Sequence, residues 1–185
     1  MSNLYRIVFA GFGGQGVMSM GQLLTYAGMI EEKNVSWCPS YGPEMRGGTA
    51  NCSVIISDEL ITSPVIANNA TTAVIMNEAS YDKFVNSVIP GGSIYINSSL
   101  VKRKVQREDV TVYYVQANDI AKSLGNPKLI NVVMLGALIE KEKIVHEESI
   151  VEAFKKVFGE AKEKFIPINR EALKKGSEVV SEIVA

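Results

Sequence analysis

Four glycines near the start of the chain decide much of what it can fold into. Gly11-Phe12-Gly13-Gly14-Gln15-Gly16 lies between an apolar run and a helical stripe. Upstream, Tyr5-Arg6-Ile7-Val8-Phe9-Ala10 is short, β-branched and aromatic, the pattern of a buried strand in a parallel sheet. Downstream, Val17, Met20, Leu24 and Ala27 share one stripe, which predicts a helix over Val17–Ile30. A strand, Gly-x-Gly-x-x-Gly and a helix together open an α/β fold. Gly11 is expected to permit the sharp turn, Gly13 to let backbone approach a bound group, and Gly16 to allow tight helix–strand packing. The free N–H groups at the helix start carry about half a positive charge and favour a phosphate or carboxylate. Gly14 and Gln15 complete the turn. The Gln15 amide can donate and accept at once, so it either contacts a cofactor or neighbouring subunit or caps local backbone. Gly21 and Gly28 cost helix propensity and are read as close-packing positions.

The second expected element is missing. A dinucleotide site places Asp or Glu at the end of the second strand to hold the ribose, and here that place holds Trp37-Cys38-Pro39. A free-standing NAD-binding enzyme is therefore a weak alternative, and a tight turn with no ligand is another. The predicted strand Val35–Cys38 runs into a Pro- and Gly-rich connection, Pro39 to Thr49, long for a loop without its own secondary structure. It is expected to emerge at the sheet edge that carries the glycine turn, where open α/β sheets bind ligands. Within it, Arg46 next to Gly47-Gly48 could reach a carboxylate or phosphate past bare backbone, or pair with Glu44 or solvent.

Further strands are predicted at Cys52–Ile56, Thr72–Met76, Ser93–Asn97 and Val110–Val115. Leu60-Ile61-Thr62 is a possible returning strand. Ser80 to Val88 reads as a helix stopped by Pro90-Gly91-Gly92. Four more helices follow: Asn118–Leu124, Asn131–Glu142, Glu147–Phe158 and Asn169–Ile183. Gly125 and Gly159 are their stops, and Asn169 is an N-cap. No linker or repeat divides residues 1–185, so a single Rossmann-like α/β domain is expected. Its sheet is mostly parallel, flanked by helices, and followed by a C-terminal helical segment.

Composition excludes several classes. Nineteen basic against twenty acidic residues leave a net charge of −1, unlike an electrostatic nucleic-acid binder. No apolar run reaches the length of a membrane span, and the N-terminus lacks a signal-peptide pattern, so a cytoplasmic protein is expected. Two cysteines and one histidine cannot build an ordinary zinc site or the cage of an iron–sulfur cluster, so any redox metal would sit on another chain. Cys38 and Cys52 are read as buried small hydrophobes. His146 is read as a surface residue at a helix start, and Lys102-Arg103-Lys104 as a solvated turn. Neither a Gly-x-Ser-x-Gly elbow nor a Walker loop occurs, so no catalytic residue is assigned.

Taken together, Gly11–Val17, then Ser40-Tyr41-Gly42-Pro43-Glu44-Met45-Arg46-Gly47-Gly48-Thr49, then Val54–Ser57 and Ser63-Pro64 resemble the gamma subunit of 2-oxoacid:ferredoxin oxidoreductases. The similarity runs nearly end to end, including Asn118–Ala121 and Asn131–Gly136. It implies a subunit, inactive alone, of an anaerobic complex that converts a 2-oxoacid and coenzyme A to acyl-CoA and CO2 while reducing ferredoxin. It implies alpha, beta and delta partner subunits. Thiamine diphosphate with magnesium and [4Fe-4S] clusters would be held by those chains and none by this one. It implies a place over the active-site cavity and a part in binding coenzyme A. The residues to which that part carries over are Gly11, Gly13, Gly14, Gln15, Gly16, Ser40, Tyr41, Gly42, Arg46, Gly47 and Gly48. A pure assembly module is the competing reading. The isolated chain is expected to pair as a homodimer through an exposed apolar patch. The choice among pyruvate, 2-oxoglutarate, branched-chain and other 2-oxoacids is left open.

Overall fold

The structure is a computed structural model that describes residues 3–40 and 49–181. Six strands form one sheet in the order β2-β3-β1-β4-β5-β6. They are β1 (Leu4–Phe12), β2 (Asn34–Ser40), β3 (Thr49–Ser57), β4 (Ala70–Ile75), β5 (Val88–Asn97) and β6 (Thr111–Val115). The helices are α1 (Val17–Ile30), α2 (Glu78–Phe84), α3 (Ala117–Ser123), α4 (Ile130–Glu142), α5 (Glu147–Phe158) and α6 (Ile166–Ser181). The β1–β4, β4–β5 and β5–β6 pairings are parallel, while β3 is antiparallel to both β1 and β2. Five strands thus run one way, as a mostly parallel sheet requires, and β3 alone runs back.

Alternation along β1 explains the layering. Ile7 and Phe9 face the larger core, with Val17, Met20, Leu24 and Ala27 of α1 and much of α4 and α5. Val8 and Ala10 face a smaller core with Ala73, Ile75, Ile94, Ile96 and Tyr81. Gly21 and Gly28 are the predicted close approaches: a β-carbon at Gly21 would meet Cys52 Sγ at 2.6 Å, and one at Gly28 would meet Val35 Cγ1 at 2.8 Å. Helix α4 is buried from Asn131 through Ile139, so it is apolar on all sides and lies inside the molecule. Helix α6 packs over it backbone to backbone. A β-carbon on Gly136 would strike the Leu173 carbonyl, and one on Gly176 the Val133 carbonyl. Behind α1, Lys33 Nζ donates to the Ile144 carbonyl and pairs with Glu31 at 3.3 Å, and Glu31 Oε1 accepts from the His146 N–H at 2.6 Å. No helix among the described residues is long and apolar enough to cross a membrane.

The structure corrects several expectations about these elements. Leu60-Ile61-Thr62 forms no strand, because β2 and β1 already occupy both edges of β3. Leu60 is 85% exposed and Val65 66% exposed on that bend. The helix expected over Ser80–Val88 starts earlier and ends at Phe84, because Asn77 caps it by accepting from the Ser80 N–H at 2.8 Å. Pro90-Gly91-Gly92 then lies inside β5, not after a helix. The irregularity shows in the register: Ala70 faces Val88, but Thr72 already faces Ser93. Gly91 adopts φ 79° there, and a Gly92 β-carbon would meet the Thr71 carbonyl at 2.5 Å. Asn169 is not a cap but lies within α6, where its Nδ2 donates to Phe165 O at 2.7 Å. Finally, only Cys52 is buried, and Cys38 on the edge strand β2 is exposed.

Candidate functional site

The chain leaves β1 at Phe12 and turns tightly, with Gln15 N–H donating to Phe12 O at 3.2 Å. The positive φ values fall at Gly14 (90°) and Gly16 (74°), which is where glycine is conformationally required. Gly11 is still in the strand and does not make the turn. Its role is space: a β-carbon there would meet Gln15 Oε1 at 2.7 Å and Met76 Cβ at 2.9 Å. Nothing lies within 4 Å of a Gly13 β-carbon, so this backbone is open to an approaching group. Gly16 is tightly packed as expected, although against Asn131 of α4, 2.6 Å from its position, and not against a strand.

Gly16 is the N-cap of α1 and has no side chain to cap it, and the first turn holds no acidic residue. The first bond of the helix runs from Met20 N–H to Gly16 O, which leaves the three preceding N–H groups to other partners. These groups stand beside a groove of about 600 Å³. One wall is Gly14, Gly16 and Ser19, and the others come from Asn131, the short turn ahead of α4, the end of α5 and the start of α6. Lys128, Lys155 and Lys162 enter it together with Phe154, Phe158 and Phe165. Lys155 pairs with Glu163 at 3.3 Å, and Lys162 lies 5.5 Å from the Phe158 ring centre. Lys128 makes no ion pair among the described residues. A groove lined by helix N–H groups, lysines and aromatic side chains can hold a molecule that carries both anionic and apolar parts.

The other candidates fall as follows. Ser40 ends β2 opposite Asn51, and β3 begins with Thr49 opposite Phe12. Both ends of the connection therefore stand at the edge that carries the glycine turn. Strands β1 and β2 share this edge but are not neighbours, since β3 lies between them. Tyr41, Gly42, Arg46, Gly47 and Gly48 lie outside the described residues. The Gln15 amide is engaged locally, with Oε1 accepting from Phe12 N–H at 2.6 Å and Asn77 Nδ2 at 3.0 Å. His146 is exposed at the start of α5, away from the groove. Burial pushes the Cys52 thiol up to about 12, which makes it a poor nucleophile. The three lysines and the phenylalanines were not foreseen. Lys155 and Lys156 at the end of a helix read as ordinary complements to its dipole, so only the packing of α5 and α6 reveals a groove.

Residues 6–179 match the family described as pyruvate ferredoxin/flavodoxin oxidoreductase. The chain belongs to this family. Among relatives within it, the ketoisovalerate oxidoreductase subunit VorA of Methanothermobacter thermautotrophicus is 40% identical over 174 residues, which cover 94% of this chain and 36% of that subunit. The chain thus spans little more than a third of that relative. The 2-oxoglutarate synthase subunit KorC of Methanocaldococcus jannaschii is 36% identical over 151 residues, covering 80% of each chain. The crystal structure of a keto/oxoacid ferredoxin oxidoreductase gamma subunit from Geobacter sulfurreducens has the same fold. Its TM-score is 0.80 at 28% identity, over 96% of this chain and 98% of that one.

Proposed function

We propose that this chain is the gamma-type part, a single domain, of a 2-oxoacid:ferredoxin oxidoreductase that converts a 2-oxoacid and coenzyme A to acyl-CoA and CO2. The 2-oxoacid is of the 2-oxoglutarate, branched-chain or pyruvate type, and its choice rests with the partner chains. Alpha, beta and delta subunits supply thiamine diphosphate, magnesium and the [4Fe-4S] clusters, and electrons leave to ferredoxin in the cytoplasm. This chain covers the active site and holds coenzyme A. One observation carries the reading: the uncapped start of α1, three lysines and three phenylalanines line one groove. Coenzyme A fits that chemistry, with phosphates for the N–H groups and lysines and an apolar arm for the phenylalanines. Gly13, Gly14 and Gly16 offer backbone. Ser40, Tyr41, Gly42, Arg46, Gly47 and Gly48 belong to the same binding set, with Arg46 as its further positive charge. Exposed Leu60 and Val65 belong to a face for partner subunits, or for a second copy when the chain is isolated.

The test is steady-state kinetics of the reconstituted complex with coenzyme A varied. Removing a charged hydrogen-bond partner costs about 1.5–3 kcal/mol. Arg46→Ala, and Lys128→Ala with Lys162→Ala, should each raise KM for coenzyme A roughly ten- to hundredfold. The decarboxylation half-reaction, which needs no coenzyme A, should continue. Unchanged coenzyme A kinetics together with a complex that falls apart would leave the assembly-module reading standing.

A further inference from the structure

We infer that Gln15 is a positioning residue: its carboxamide fills the crevice between the carboxyl ends of β1 and β4 and thereby holds the glycine turn toward the groove. This inference rests on the proposed binding of coenzyme A at that groove.

The crevice where the strand order reverses is the usual ligand position of an open α/β sheet. In this chain it lies between β1 and β4, whose pairing extends to Met76 N–H donating to Ala10 O at 2.8 Å. Past this point the strands part, and the Gln15 side chain takes over the ladder as a peptide unit would. Its Oε1 accepts from Phe12 N–H at 2.6 Å on the β1 side, and its Nε2 donates to Met76 O at 3.4 Å on the β4 side. Asn77 adds a bond from Nδ2 to the same oxygen at 3.0 Å, while its own Oδ1 caps α2. The glycine turn is therefore tied through one amide to the buried start of α2.

Gly11 fits this role, because any side chain there would overlap Gln15 Oε1. The groove fits it too, since Gln15, Met76 and Asn77 are not among its walls. With the switch-point crevice closed by the chain's own amide, the open N–H groups of α1 serve the α4–α5–α6 side. The groups bonded to the amide are all neutral: a backbone N–H, a backbone carbonyl and the Asn77 amide. The adjoining charged residue, Glu78, accepts from Lys102 N–H at 2.8 Å.

The test uses the assembled complex, with coenzyme A varied at saturating 2-oxoacid. Q15A should raise KM for coenzyme A about tenfold, with the loss falling on KM and not on kcat. Q15E separates positioning from mere folding. When protonated, its carboxyl accepts on one oxygen and donates from the other, as the amide does. When ionised, it turns an acceptor toward the Met76 carbonyl. The ratio of the Q15E KM to wild type should therefore lie near one at the acid end and climb toward the Q15A value as pH rises, while the Q15A ratio stays flat. A Q15A ratio within about twofold of wild type, or a Q15E ratio that does not change with pH, would overturn the inference. If Q15A does not assemble, the pH series on Q15E decides alone. The Lys128→Ala, Lys162→Ala complex is run alongside. If it raises KM and the Gln15 variants do not, only the positioning role falls. If none of them does, the proposed binding of coenzyme A falls as well.

Discussion

Glu31 shows how one carboxylate can join two elements far apart in sequence. It follows α1 and accepts the His146 N–H at the start of α5. Burial alone would raise its pKa, but that N–H, the Ser149 side chain and Lys33 outweigh burial and hold the carboxyl below the usual carboxylate range. The sign follows from linkage. A carboxyl that titrates lower in the folded chain than in the unfolded one stabilises the fold above about pH 4.5, and that stability is lost as pH falls through the folded value. Glu31→Gln should therefore lower stability at pH 7 by about 1 kcal/mol. Thermal melts of the two proteins should converge as pH falls through the folded value. A difference that stays constant from neutral to acid pH would refute the charge-based account.

At the scale of elements, the tightest joint is the crossing of α4 and α6. Gly136 and Gly176 place backbone on backbone, and a methyl on Gly176 would overlap the Val133 carbonyl. Gly176→Ala should cost about 2–3 kcal/mol, because neither helix backbone can yield to a methyl. Because α6 contributes Ile166 and Asn169 to the groove, the same change should also disturb that wall. Chemical denaturation measures the first effect, and a normal midpoint would count against it.

This joint also shows what a sequence can disclose. The helix over Val17–Ile30 and the strand before it are legible from periodicity, because their neighbours are close in the chain. The cap at Asn77 is not. Its helix is short, and Pro90-Gly91-Gly92 looks like a helix stop until β4 is seen to pair through a bulge. The lysines of the groove are charges on separate elements, and only tertiary packing brings them together. Gln15 could be read either way, as a ligand contact or a local cap, until the position of Met76 was known.

At the scale of the whole molecule, residue counts limit the metal chemistry this chain can hold. Two cysteines and one histidine are too few for a cluster, and the buried thiol of Cys52 is held protonated. The purified chain alone should be colourless, carry no stoichiometric iron and turn over no 2-oxoacid. Metal analysis and a visible spectrum check this, and a bound cluster would refute it.

The reversed direction of β3 has a consequence for how this fold can vary. Because β3 runs back, the chain leaves the sheet at Ser40 and re-enters it at Thr49 on one edge, and both residues are pinned by ladder pairing. Eight residues join these two pinned ends, and their number is free of the register. Doubling such a segment adds only about 0.6 kcal/mol of closure entropy. Descendants of this sequence can therefore lengthen, shorten or rewrite that stretch beside the glycine turn while every strand keeps its partner.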